Sequence, residues 1–126
     1  MNEERDLAAQ KGHTSPICES IEETHESYNQ SMQMVFEEVQ ENDRLFVASH
    51  NKDSIKIATD FLRENPHCND GRVLFGQLKG FSDQITSELA TEGFEVYKYL
   101  PYGPTEDVMP YLLRRGQESK QVVREQ

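Results

Sequence analysis

Apolar positions recur along the chain with two different periods, and the two alternate. Tyr28, Met32, Val35, Phe36 and Val39 fall at i, i+4, i+7, i+8 and i+11, one buried stripe on a helix of about five turns that begins near Ile21. Glu22, Glu23, Glu26, Glu37, Glu38 and Glu41 take the outer face, where they read as solvation rather than metal ligation. Ahead of this helix, Glu3 to Lys11 predicts a shorter one closed by Gly12, and His13 to Glu19, with Ser15-Pro16, a connection. Leu45-Phe46-Val47-Ala48 is a short continuous apolar run without alternation, the mark of a strand covered on both faces, as in parallel sheets. Asn51 is placed to cap a helix whose inner face is Ile55, Ala58, Phe61 and Leu62 and which stops at Asn65-Pro66. Val73-Leu74-Phe75 predicts a second strand, and Phe81, Ile85 and Leu89 a helix ended by Gly93 at the position after the cap. Phe94 to Leu100 predicts the third strand, and Thr105 to about Ser119 the closing helix.

Pro104 suits the start of that last helix, but Pro110 cannot donate to the carbonyl of Glu106, so a kink or a tight first turn is expected. Lys120 to Gln126 reads as a polar, frayed tail. Strands alternating with helices imply parallel pairing through right-handed crossovers, an α/β fold.

Composition narrows the function. The chain has 126 residues, so it is one domain or part of one, and its 23 acids against 13 bases give a net charge of −10. Nucleic acid is therefore not an expected partner, because phosphate binding needs a basic patch. No apolar run approaches the roughly 18 residues of a membrane span, so any membrane contact would be peripheral or come from residues outside this sequence. Met1-Asn2-Glu3-Glu4-Arg5-Asp6 is acidic and lacks the apolar region of a signal peptide. Cys18 and Cys68 form no CxxC unit and read as two structural thiols in a reduced compartment.

Parallel α/β folds gather ligands at the carboxyl ends of their strands, and all three predicted ends are polar. The first offers Ser49-His50-Asn51, the second Gly76-Gln77-Leu78-Lys79-Gly80 and the third Tyr99-Leu100-Pro101-Tyr102-Gly103. His50 and Ser49 have the donors to meet a cofactor or phosphate, although a lone loop histidine is more often an ordinary polar residue. The two glycines around Lys79 suit an anion held by backbone amides. No Walker A loop, GxGxxG fingerprint, GxSxG elbow or HxxxH pair accompanies them, so no metal site is expected.

Near the end of the last helix, Arg114 and Arg115 lie four and three residues before Glu118, while Glu106 and Asp107 occupy the first turn. On spacing alone a solvated helix end with one exposed ion pair is the commoner outcome. A paired guanidinium fork for a carboxylate is the alternative.

Taken together and in order, the motifs Val47-Ala48-Ser49-His50-Asn51, Phe75-Gly76-Gln77-Leu78-Lys79-Gly80, Val96-Tyr97-Lys98-Tyr99-Leu100-Pro101-Tyr102-Gly103 and Tyr111-Leu112-Leu113-Arg114-Arg115 with Glu118 resemble the flavin-dependent proline dehydrogenases. Glu4-Arg5, Ala8, Gly12 and Pro16-Ile17 are similar to the same family, and the likeness runs from about residue 3 to 119. The resemblance implies a (β/α)8 barrel with FAD at the carboxyl face of its strands. It also implies oxidation of L-proline to Δ1-pyrroline-5-carboxylate by hydride transfer to flavin N5, with electrons passed to a membrane quinone. By the same resemblance Arg114 and Arg115 would clamp the proline carboxylate, Tyr99 would pack against the proline ring and Leu78 would line the pocket. Glu118 would pair with a lysine outside this sequence, and Ser49 and His50 would contact FAD. Tyr99 favours proline over hydroxyproline, since the hydroxyproline-oxidising relatives typically carry a smaller residue there.

A (β/α)8 barrel takes about 250 residues. Three strands cannot close one, so residues 1–126 are expected to be the C-terminal part of such a barrel, beginning just after its fifth strand. Met1 would then be internal, no catalytic residue would lie within the chain, and the chain alone would neither hold FAD firmly nor turn over proline. The expected location is the mitochondrial matrix side of the inner membrane in a eukaryote, or the cytoplasmic face of the membrane in a bacterium. Two other readings stand beside this one: a non-catalytic α/β module that binds a small carboxylate through Arg114 and Arg115, and an inactive piece whose sheet face binds a partner protein.

Overall fold

The computed structural model describes residues 2–118, with side chains from Glu3 to Gly116. Helices α1 (Asn2–Lys11) and α2 (Ile21–Glu38) lead into β1 (Leu45–Ala48), α3 (Lys52–Glu64), a 3-10 turn at Pro66–Cys68 and β2 (Val73–Leu78). Then follow α4 (Asp83–Thr91), β3 (Val96–Tyr99) and α5 (Thr105–Glu118). The tail expected to fray from Lys120 lies outside the described residues.

Local chemistry sets the boundaries. Ser20 caps α2, its Oγ accepting from the Glu23 amide at 3.1 Å, and Asn51 caps α3, its Oδ1 accepting from the Ser54 amide at 3.0 Å. Gly93 closes α4 in the left-handed region at φ 84°, where its amide reaches Ala90 and the Phe94 amide reaches Leu89. Helix α5 starts at Thr105, as the sequence predicts, so Pro104 precedes it and its carbonyl accepts from both Asp107 and Val108. That shared acceptor is the tight first turn expected ahead of Pro110.

The three strands are parallel and ordered β1-β2-β3, with Leu45 opposite Val73 and Phe75 opposite Val96. Strand order follows chain order without reversal, so right-handed crossovers put every connecting helix on the same side. On that side Val47, Val73 and Phe75 meet Ile55, Ala58 and Leu62 of α3 and Ile85 and Leu89 of α4, all buried. Helix α2 joins through Phe36, whose ring stacks on Phe61 with centroids 4.1 Å apart.

Two expectations are corrected. Val35 is exposed, because α2 meets α3 along a narrow seam made by Met32 and Phe36, with Tyr28 and Val39 half-buried. And β1 is covered on one face only: Val47 is 1 % exposed while Phe46 is 51 % exposed. A single layer of helices cannot cover both sides of a sheet, so the apolar residues on the other face stand open.

Candidate functional site

The open face carries aromatic and small residues in register. Ala48 lies opposite Gly76, Gly76 opposite Tyr97, and Leu78 opposite Tyr99, so these side chains share one side of the sheet. With Phe46 and Leu74 they line a hollow of about 620 Å³, within the usual range for small-molecule sites. Gly76 is what lets the Phe46 ring lie flat across β2: a Cβ at that position would run into the ring. The Phe46 and Tyr97 rings then sit 6.2 Å apart, a continuous aromatic wall.

At the carboxyl end of the sheet, His50 is held at both ring nitrogens. Nδ1 lies 3.1 Å from Ser82 Oγ, and Nε2 accepts from the Leu78 amide at 3.3 Å. Burial, followed by the charge of Lys98, holds its pKa below the ordinary histidine value, so the ring is neutral near pH 7. Lys98 in turn is fixed, its Nζ donating to the Phe81 carbonyl at 2.6 Å and pairing with Asp83 at 2.9 Å. The Ser49 hydroxyl accepts from the Asn51 amide at 3.0 Å, which shapes the turn into α3. Asn51 also reaches the His25 ring with its Nδ2. The anion cradle expected from Gly76 to Gly80 is not formed: Gly76 to Leu78 belong to β2, and the Lys79 amide donates to Tyr99 at 3.0 Å. Amides used in the sheet ladder cannot point at an anion.

The third strand end and α5 meet through rings. Tyr99 lies edge-on to Tyr111 with centroids 6.3 Å apart, and the Arg115 guanidinium lies 5.6 Å from the Tyr111 ring centre. The simple solvated helix end is thus excluded for Arg115, which is half-buried, whereas Arg114 is exposed. Leu78, Tyr99 and His50 are brought to one end of the sheet, and Arg115 is linked to Tyr99 through the Tyr111 ring, outside the lining of the hollow. Ser49 stands beside them at the end of β1, with its hydroxyl turned to the backbone. Glu118 ends the α5 backbone, and its side chain lies outside the described residues.

Three contributors escaped the sequence reading as site residues, Phe46, Ser82 and Tyr111, and Gly76 entered it only as part of the anion cradle. Gly76 and the alternation of Tyr97 and Tyr99 were the available signals, since period two marks a half-covered strand. No signal marked Ser82, whose place before an acid reads as a plain helix cap. Among the described residues no group of three or more His, Cys, Asp or Glu side chains could hold a metal ion, and no helix is long and apolar enough to cross a membrane.

The chain is similar to known proteins. The sequence model of a family described as proline dehydrogenase matches residues 1–125. The chain is 41% identical over 125 residues to proline dehydrogenase 1, mitochondrial, of Homo sapiens, covering 97% of this chain and 21% of that protein. It is 39% identical over 127 residues to a hydroxyproline dehydrogenase of Bos taurus, covering 98% of this chain and 28% of that protein. To proline dehydrogenase 2, mitochondrial, of Arabidopsis thaliana it is 37% identical over 123 residues, covering 95% and 26% respectively. The chain thus spans between about a fifth and just over a quarter of the length of these curated relatives. No solved structure matches it.

Proposed function

The chain belongs to the proline dehydrogenase family, and from that premise we propose that its three strands are the C-terminal part of a (β/α)8 barrel that oxidises L-proline to Δ1-pyrroline-5-carboxylate. The observation that carries the reading is the open aromatic face. Strands in chain order, helices on one side and an uncovered apolar side are what a segment of barrel wall presents, the uncovered side being the barrel interior.

The residues present fit a flavin. A broad apolar wall of Phe46, Leu78, Tyr97 and Tyr99 suits a planar ring system, and Ser49 and His50 stand at the strand ends where its polar parts would lie. Bound there, FAD would supply a hydride acceptor, and a membrane quinone would take the electrons onward. What this chain's own residues do is bind and orient. Arg115, steadied over Tyr111, and its neighbour Arg114 hold the proline carboxylate in a bidentate grip. Tyr99 packs against the proline ring and Leu78 closes the same wall, excluding water from the reacting carbon. Glu118 steadies the site by pairing with a lysine elsewhere in the full protein. In a eukaryote the protein acts in the mitochondrion, as the names of the human and Arabidopsis relatives support.

Steady-state kinetics of the full protein that carries this chain test the proposal. Arg115→Met should raise the KM for proline by about a hundredfold or more, since the substrate carboxylate would lose a charged partner in a dry site. An unchanged KM would overturn the clamp.

A further inference from the structure

We propose that Ser82 is a positioning residue: its hydroxyl accepts the Nδ1–H of His50, leaving Nε2 free of a proton to receive the Leu78 amide and so fixing the end of β2 at the site. The assignment follows from donors and acceptors. The Leu78 amide can only donate, so Nε2 facing it at 3.3 Å must accept, and the ring proton of a neutral His50 then sits on Nδ1, 3.1 Å from Ser82 Oγ.

Ser82 is built for this task at the expense of another. Among the described residues it is the non-glycine residue with a positive φ, 52°, and it is buried. A serine just before a helix ordinarily turns its hydroxyl to the helix amides, yet here it makes no cap bond to α4. The left-handed backbone directs the side chain to His50 instead. The neighbouring carbonyl of Ser82 is held as well, accepting from Thr86 Oγ1 at 3.1 Å. The charge that acts on the ring is Lys98 from β3, which is itself paired with Asp83 at the start of α4 and favours the neutral ring.

The consequence concerns Leu78, which faces Tyr99 across the β2–β3 register. If the His50 ring turns, the amide of Leu78 loses its acceptor and the wall opposite Tyr99 loosens. That functional consequence rests on the proline site proposed above, whereas the tautomer does not.

The test is nitrogen NMR of the full protein labelled at histidine, with proline kinetics alongside. His50 should show the Nδ1–H tautomer at neutral pH. Ser82→Gly, which keeps the left-handed turn while removing the hydroxyl, should yield a mixture of tautomers and a several-fold higher KM for proline. An Nε2–H tautomer or a charged ring in the unaltered protein overturns the proposal, whether or not the variant folds. So does a Ser82→Gly spectrum identical to that of the parent. The predicted tautomer in a protein that does not oxidise proline would instead refute the proline reading and leave the Ser82 assignment standing.

Discussion

His50 illustrates how one side chain ties sequence, electrostatics and site together. Its pKa is lowered on folding, first by burial and then by Lys98. With the folded value below the unfolded one, the unfolded chain binds the proton first as pH falls. Acid therefore destabilises the fold, starting near the ordinary histidine value of about 6.5 and levelling off below the depressed value. Urea titrations across that range should show stability falling with pH, and His50→Gln should flatten the fall, while an unchanged slope would contradict the neutral ring. Tyr99 makes a second prediction at this scale. Shortening it to Ser should shift the preference between hydroxyproline and proline by about tenfold or more toward hydroxyproline, since space for one hydroxyl is worth roughly 1–3 kcal/mol. Competition assays with both substrates measure the ratio directly.

Between elements, two contacts are decisive. The Phe36–Phe61 stack is the aromatic bond of α2 to α3. Phe61→Ala should cost about 3 kcal/mol, at the low end for a core phenylalanine because the ring is only half-buried, and thermal or denaturant melting reads it. Gly76→Ala should cost about 1–3 kcal/mol by forcing the Phe46 ring off β2, which is the overpacking penalty. The helices and strands themselves were legible, because stripes such as Ile55, Ala58 and Leu62 have no other reading than a helix face. What β1 would lack was not: Phe46 looks the same in sequence whether or not its own chain covers it. The Gly76–Gly80 cradle failed for a related reason, since glycine permits both a phosphate loop and a close ring contact in a strand, and only the register decides. Arg115 was ambiguous from spacing until Tyr111 supplied its platform. The left-handed Ser82 had no local sequence mark at all.

At the scale of the whole molecule, a sheet wound in one direction with an aromatic face open is half of a packing arrangement. Among the described residues both edge strands, β1 and β3, offer unpaired backbone groups that further strands would satisfy. The 126-residue chain alone should accordingly retain no flavin through gel filtration and reduce no dye with proline. A yellow, proline-active preparation of this length would contradict the barrel proposal. For the full protein, the most direct measurement is anaerobic addition of L-proline while the flavin absorbance is followed. The account predicts bleaching that saturates with proline and that demands far higher proline in Arg115→Met. Flavin that stays oxidised at saturating proline would contradict it.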